Sequence, residues 1–94
     1  MTNIINKYIA NKVIKEIQAA FNGNLIIILP NKKTLIIGDK KNAIKISINN
    51  YKFFIRIFFL GVSGIGYSYS KGEWHTNELT KLLKLGLKNV NLLK

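Results

Sequence analysis

The fold class this sequence predicts is α+β, a small antiparallel sheet packed with three helices, and three observations predict it. Residues 4–21 repeat apolar side chains at helical spacing, three short β-branched runs then follow one another between polar turns, and the last third holds a leucine-rich helical stretch. The chain of 94 residues makes a single domain, residues 1–94, with room for a thin core. With 48% hydrophobic residues, seven glycines and one proline, the composition is that of a folded protein rather than a disordered or collagenous one.

In residues 4–21, Ile9, Ala10, Val13, Ile14, Ile17, Ala20 and Phe21 share one helical side, with Lys7, Asn11, Lys12, Lys15 and Gln18 opposite. Thr2 or Asn3 supplies the N-cap, and "NGN" at Asn22 to Asn24 supplies the stop. A core-packed helix is favoured over one lying in a membrane interface. The runs "LIIILP", "TLIIG" and "AIKISI" are separated by "NKK" and "DKKN", which reads as an antiparallel meander. The first run does not alternate and predicts a strand covered on both faces, whereas the third has one wet face. "YKFFIRIFFLG" suits either a strand or a short buried helix, and the helix is favoured because it stacks Lys52 and Arg56 in one polar seam. From Gly61 to Gly72 the sequence reads as a glycine-rich crossover. Thr76 then caps a final helix with Leu79, Leu82, Leu83 and Val90 on its buried side, Glu78 in its first turn and Lys84 and Lys88 near its end. Gly86 weakens that helix unless something packs closely there.

The formal charge of +11 points toward polyanions, nucleic acid or an anionic membrane. Fourteen of the fifteen basic residues are lysine, and Arg56 is the single arginine; in a chain rich in asparagine and isoleucine, AT-rich coding accounts for part of this excess. The opening "MTNIINKYIANKV" does not read as a signal peptide, and no apolar run approaches the roughly 20 residues of a membrane-spanning helix. The expected location is therefore cytoplasmic. Aromatics interleaved with Lys52 and Arg56 also resemble a stacking surface for single-stranded nucleic acid, which makes a small nucleic-acid-binding protein the alternative function. A core role for these aromatics is favoured, because the glycine-containing signature of an RNA-recognition strand is missing.

Catalytic chemistry is sparse. Without cysteine there is no thiolate ligand, disulfide or thiol nucleophile, and the lone His75 has no partner at metal-binding spacing. His75 reads as an exposed or capping residue. A triad with Ser68, Ser70 or Glu73 lacks an orienting group, since the only aspartate, Asp39, lies in a distant turn. "GVSGIG" has neither dinucleotide-loop nor phosphate-loop spacing, so Gly61, Gly64 and Gly66 are read as sites of close backbone approach or positive φ.

In "GIGYSYSKGEWHTNEL", Gly64, Gly66, Tyr69, Gly72, Trp74, Thr76 and Leu79 follow an order that resembles the amino-terminal domain of the cyclopropane-fatty-acyl-phospholipid synthase family. Upstream, Pro30, Ile37 and Gly38 stand where that family has a proline turn, an apolar residue and a glycine; downstream, "LLKLGLKN" matches its leucines and final asparagine. The resemblance covers residues 23–91. Three positions depart from it: Tyr67 and His75 replace acids, which removes whatever contacts those carboxylates make with a partner domain, and Lys32 replaces the glycine of the proline turn. The resemblance implies a sterol-carrier-like α+β domain that is not itself catalytic. It implies engagement with phospholipid at the inner face of a membrane, alongside a methyltransferase half that has no counterpart in these residues. S-adenosylmethionine is then expected only on that other half, and no cofactor on this chain. Gly64, Gly66, Tyr69, Gly72, Trp74 and Leu79 become the candidate structural or lipid-facing residues. Lys52, Arg56 and Lys71 become candidate contacts to an anionic surface.

Overall fold

A computed structural model describes residues 4–89. The domain is α+β: α1 (Ile4–Ala20), β1 (Leu25–Ile28), β2 (Thr34–Ile37), β3 (Ile44–Ile48), α2 (Lys52–Leu60), α3 (Val62–Ser70), β4 (Trp74–His75) and α4 (Leu79–Lys88). The expected cap at Thr2 or Asn3 and the apolar Val90 lie outside the described residues. Ile9, Ala10, Val13 and Ile17 are buried along α1, as their spacing predicts, while Ala20 is exposed.

The sheet departs from the expected antiparallel meander. Its order is β2-β1-β3-β4, and β1 pairs antiparallel with β2 but parallel with β3. The cause lies in the connection before β3, which is long enough to pass beneath the start of β1. Asn24 Oδ1 accepts the Asp39 N–H at 2.8 Å, and Asn24 O accepts the Ile44 N–H at 3.1 Å. Gly38 turns there at φ +72, and a β-carbon on it would collide with Asn24 Oδ1 and the Gly23 carbonyl. The most apolar strand thus acquires neighbours on both edges. The register puts Leu25, Ile27, Ile37, Ile46, Ile48 and Trp74 on one buried face. The other face carries half-buried Ile26 and Ile28 beside exposed Thr34, Ile36, Lys45 and His75, so β1 is not covered fully on both sides.

Among the described residues there are four helices, not three. The 51–61 stretch is helical, as favoured, with Asn50 Oδ1 accepting the Lys52 N–H and Phe53, Phe54 and Ile57 buried. The glycine-rich stretch that reads as a crossover is instead α3. Gly61 reverses the chain at φ 60 after its N–H bonds Ile57 O, and α3 folds back along α2. Gly64 permits the close crossing, because a β-carbon there would strike the Arg56 carbonyl oxygen. Helix propensity argues against glycine, yet backbone contact between two helices requires it. The end of α3 is a Schellman motif: Gly72 at φ +70 sends its N–H to Tyr69 O, and Glu73 N–H bonds Ser68 O. Thr76 does not cap α4. Its hydroxyl donates to Lys45 O at 2.7 Å and accepts the Glu78 N–H, so the helix begins after Glu78.

Candidate functional site

Between the buried sheet face and the helices lies a cavity of about 600 Å³ with an almost wholly apolar lining. Leu25, Ile27, Ile46 and Ile48 form its floor. Ile17 and Phe21 of α1, Ile57 of α2 and Val62, Ile65 and Tyr69 of α3 contribute walls. Its roof is α4, through Leu79, Leu82, Leu83 and Leu87. No residue of α4 is buried, so this helix covers the cavity without filling it.

Four of the six candidate motif residues meet at this cavity: Gly66, Tyr69, Trp74 and Leu79 all line it. Trp74 is buried; its Nε1–H donates to Ile65 O at 2.9 Å, which locks β4 against α3. Its ring lies 4.9 Å from that of Tyr69 and 6.1 Å from that of Phe53, in tilted and edge-on arrangements suited to aromatic quadrupoles. Tyr69 is partly exposed at the margin. Gly66 neither makes a close approach nor needs positive φ: nothing lies within 4 Å of where its β-carbon would be, and the same holds at Gly86. Both glycines leave room in the cavity wall. The remaining two motif residues, Gly64 and Gly72, set the α2–α3 crossing and the turn that delivers Trp74.

The final asparagine of the motif, Asn89, is buried and joins the end of α4 to the end of α1. Its Oδ1 accepts the Asn22 N–H at 2.7 Å, and its Nδ2 donates to Asn22 O and Leu85 O at 2.9 Å each. Beside it, Gly23 leaves space that Leu85 occupies. At Lys32, where the family pattern has glycine, φ is +71, a backbone conformation that favours glycine.

Arg56 is not the free surface cation that its sequence context suggests. Its Nη2 and Nε reach Glu73 Oε2 and Oε1 at 3.0 and 3.3 Å, and Ser68 Oγ donates to Glu73 Oε1 at 2.6 Å. The Glu73 side chain is 7% exposed and that of Arg56 28%. Burial pushes the Glu73 carboxyl up, but hydrogen bonds from Arg56 and Ser68, with the fields of Arg56 and Lys52, leave it below the usual carboxylate range. Arg56 is held above its ordinary value chiefly by its hydrogen bond to Glu73, against the effect of burial. Its guanidinium also lies 4.9 Å from the Tyr67 ring centre. The arrangement is structural: it ties α2, α3 and the turn before β4 together. The signal that could have revealed it is Arg56 itself, a lone arginine in a lysine-rich chain, because a bidentate carboxylate partner needs the guanidinium fork.

Lys52 and Lys71 are exposed, and the Lys71 ammonium lies 5.4 Å from the Tyr67 ring centre. Phe53 and Phe54 are buried and unavailable for stacking on bases. His75 is exposed with Nε2 facing Asn77 Oδ1 at 3.1 Å, while Ser68 turns to Glu73 and Ser70 to Tyr67 O, so these groups do not converge. Among the described residues no group of three His, Cys, Asp or Glu side chains could hold a metal ion, and no helix is long and apolar enough to cross a membrane.

Compared with protein-family models, curated proteins and solved structures, the chain has no match.

Proposed function

We propose that this chain is a non-catalytic phospholipid-engaging domain that takes an acyl chain into the cavity beneath α4. It works with an S-adenosylmethionine-binding methyltransferase of the cyclopropane-fatty-acyl-phospholipid synthase kind, on a second chain or on the same one, at the inner face of a membrane. The observation that carries this reading is the apolar cavity of about 600 Å³ with Gly66, Tyr69, Trp74 and Leu79 in its wall. Its volume equals roughly 20 water volumes, room for one acyl chain rather than two. Supporting the family resemblance, Lys32 and Gly38 adopt positive φ at two positions where the family has glycine.

About ten buried methylenes at about 0.8 kcal/mol each give about 8 kcal/mol. That corresponds to a micromolar Kd before association costs, so an affinity of tens of micromolar or weaker is expected. The single tryptophan, Trp74, lines the cavity and serves as the reporter. Titration with oleate, below the concentration at which it aggregates, should change Trp74 emission saturably. Emission that stays flat, or that drifts without saturating, would remove the acyl-chain reading. The alternative of single-stranded nucleic-acid binding has less support, since Arg56 is engaged by Glu73 and Phe53 and Phe54 are buried, which leaves the exposed Phe58 and Phe59 without a free arginine beside them.

A further inference from the structure

Resting on the acyl-chain reading above, we infer that the mouth of the cavity is the face by which this protein sits on an anionic bilayer, with the α2–α3 corner and the outer edge of α4 touching lipid. Val62, Leu83 and Leu87 both line the cavity and are exposed, so its rim is apolar and runs from the start of α3 to the outer turns of α4. Continuous with Val62 in the chain are Phe58, Phe59 and Leu60, all exposed at the end of α2. Phe59 is 67% exposed and Leu87 73%. The Phe58 and Phe59 rings pack edge to face at 5.1 Å and present one surface. Exposed large side chains clustered at the α2–α3 corner mark an interaction face rather than scattered surface apolars.

Charge identifies the partner. Within α4 there is no acidic residue; Lys81 pairs with Glu78 just before the helix at 3.4 Å, while Lys84 and Lys88 are exposed on a helix whose other side is leucine. Leu83 and Leu87, the exposed leucines at the outer edge of this roof, can meet acyl chains while the lysine heads reach phosphate depth, as at the margin of an interfacial helix. A second copy of this chain would bring the same charge of +11 to the contact, which opposes self-association through this edge. With the mouth against the bilayer, an acyl chain passes from membrane to cavity without crossing water.

The test uses the full chain with the paired substitutions Phe58→Ser and Phe59→Ser, neither of which lines the cavity. Flotation with phosphatidylglycerol–phosphatidylcholine vesicles should show partition reduced roughly tenfold or more. Oleate affinity read from Trp74 without vesicles should stay within about twofold. Wild-type binding should weaken with salt and require the anionic lipid. The inference is overturned if the paired variant partitions like wild type, or if wild type binds pure phosphatidylcholine equally well. It is also overturned if wild type is a dimer that these substitutions dissociate. Should oleate leave Trp74 unchanged in wild type while the substitutions still abolish vesicle binding, the acyl-chain reading falls and the docking face stands.

Discussion

Replacing Arg56 with alanine tests how the α2–α3 pair is held together. The substitution leaves the Glu73 carboxylate, 7% exposed, with Ser68 as its remaining side-chain hydrogen-bond partner. Removing one member of a buried pair costs about 3–5 kcal/mol, and the 28% exposure of Arg56 places this case near about 3 kcal/mol. In a domain of this size each kcal/mol moves Tm by about 4–8 °C, so a fall of about 12–24 °C is expected. Glu73→Gln should cost less, about 1–2 kcal/mol, because it keeps a hydrogen-bonding side chain there and Arg56 can still reach water. The pH dependence has a definite sign. In wild type the folded Glu73 carboxyl lies below its ordinary value of about 4.5, so its contribution is present above that value and is lost as pH falls through the folded one. In Arg56→Ala the burial that pushes the carboxyl up is no longer offset by the guanidinium, only by Ser68 and Lys52, so the folded value moves up from its wild-type position. That variant therefore regains stability relative to wild type as pH falls. Thermal melts followed by circular dichroism at about pH 7 and about pH 3 read both effects. A loss below about 4 °C at neutral pH, or a gap that does not narrow in acid, would refute the reasoning.

Gly64→Ala should destabilise by about 2–4 kcal/mol, since its β-carbon meets the Arg56 carbonyl and two helix backbones must part; denaturant melts check it, and a wild-type midpoint would contradict the close crossing. Gly86→Leu places a side chain in open space on the cavity side of α4 and removes a glycine from a helix, so Tm should rise, by about 1 kcal/mol of stability, while oleate titration of Trp74 weakens at least tenfold. Lys32→Gly relieves a positive φ and should stabilise by about 0.5–1 kcal/mol, visible as a Tm increase of a few degrees.

How much of this was legible depends on whether the signal was periodic. Helix α1 follows from its spacing, and α2 from the Lys52–Arg56 seam, because burial imposes a helical repeat on both. Helix α3 was hidden: Gly61, Gly64 and Gly66 argue for a loop, and only the contact with the Arg56 backbone explains a glycine inside that helix. The order of the strands was hidden too, since hairpin chemistry in "DKKN" describes a turn but not which edge of β1 receives β3. The motif residues converging on one cavity was partly visible in their order, through Tyr69, Trp74 and Leu79. The Glu73 partner of Arg56 was not, because the two stand 17 residues apart with no periodic relation.

The attachment of α4 has a consequence for how the molecule breathes. Thr76 at one end and Asn89 at the other supply polar ties, while none of the helix's own side chains is buried. Detaching this segment therefore sacrifices a few hydrogen bonds and some half-covered leucine area, leaving the sheet and the α1–α2 packing intact. Amide protons of residues 79–88 should then exchange through a local excursion far cheaper than global unfolding, whereas those of β1 and β3 wait for the whole domain to come apart.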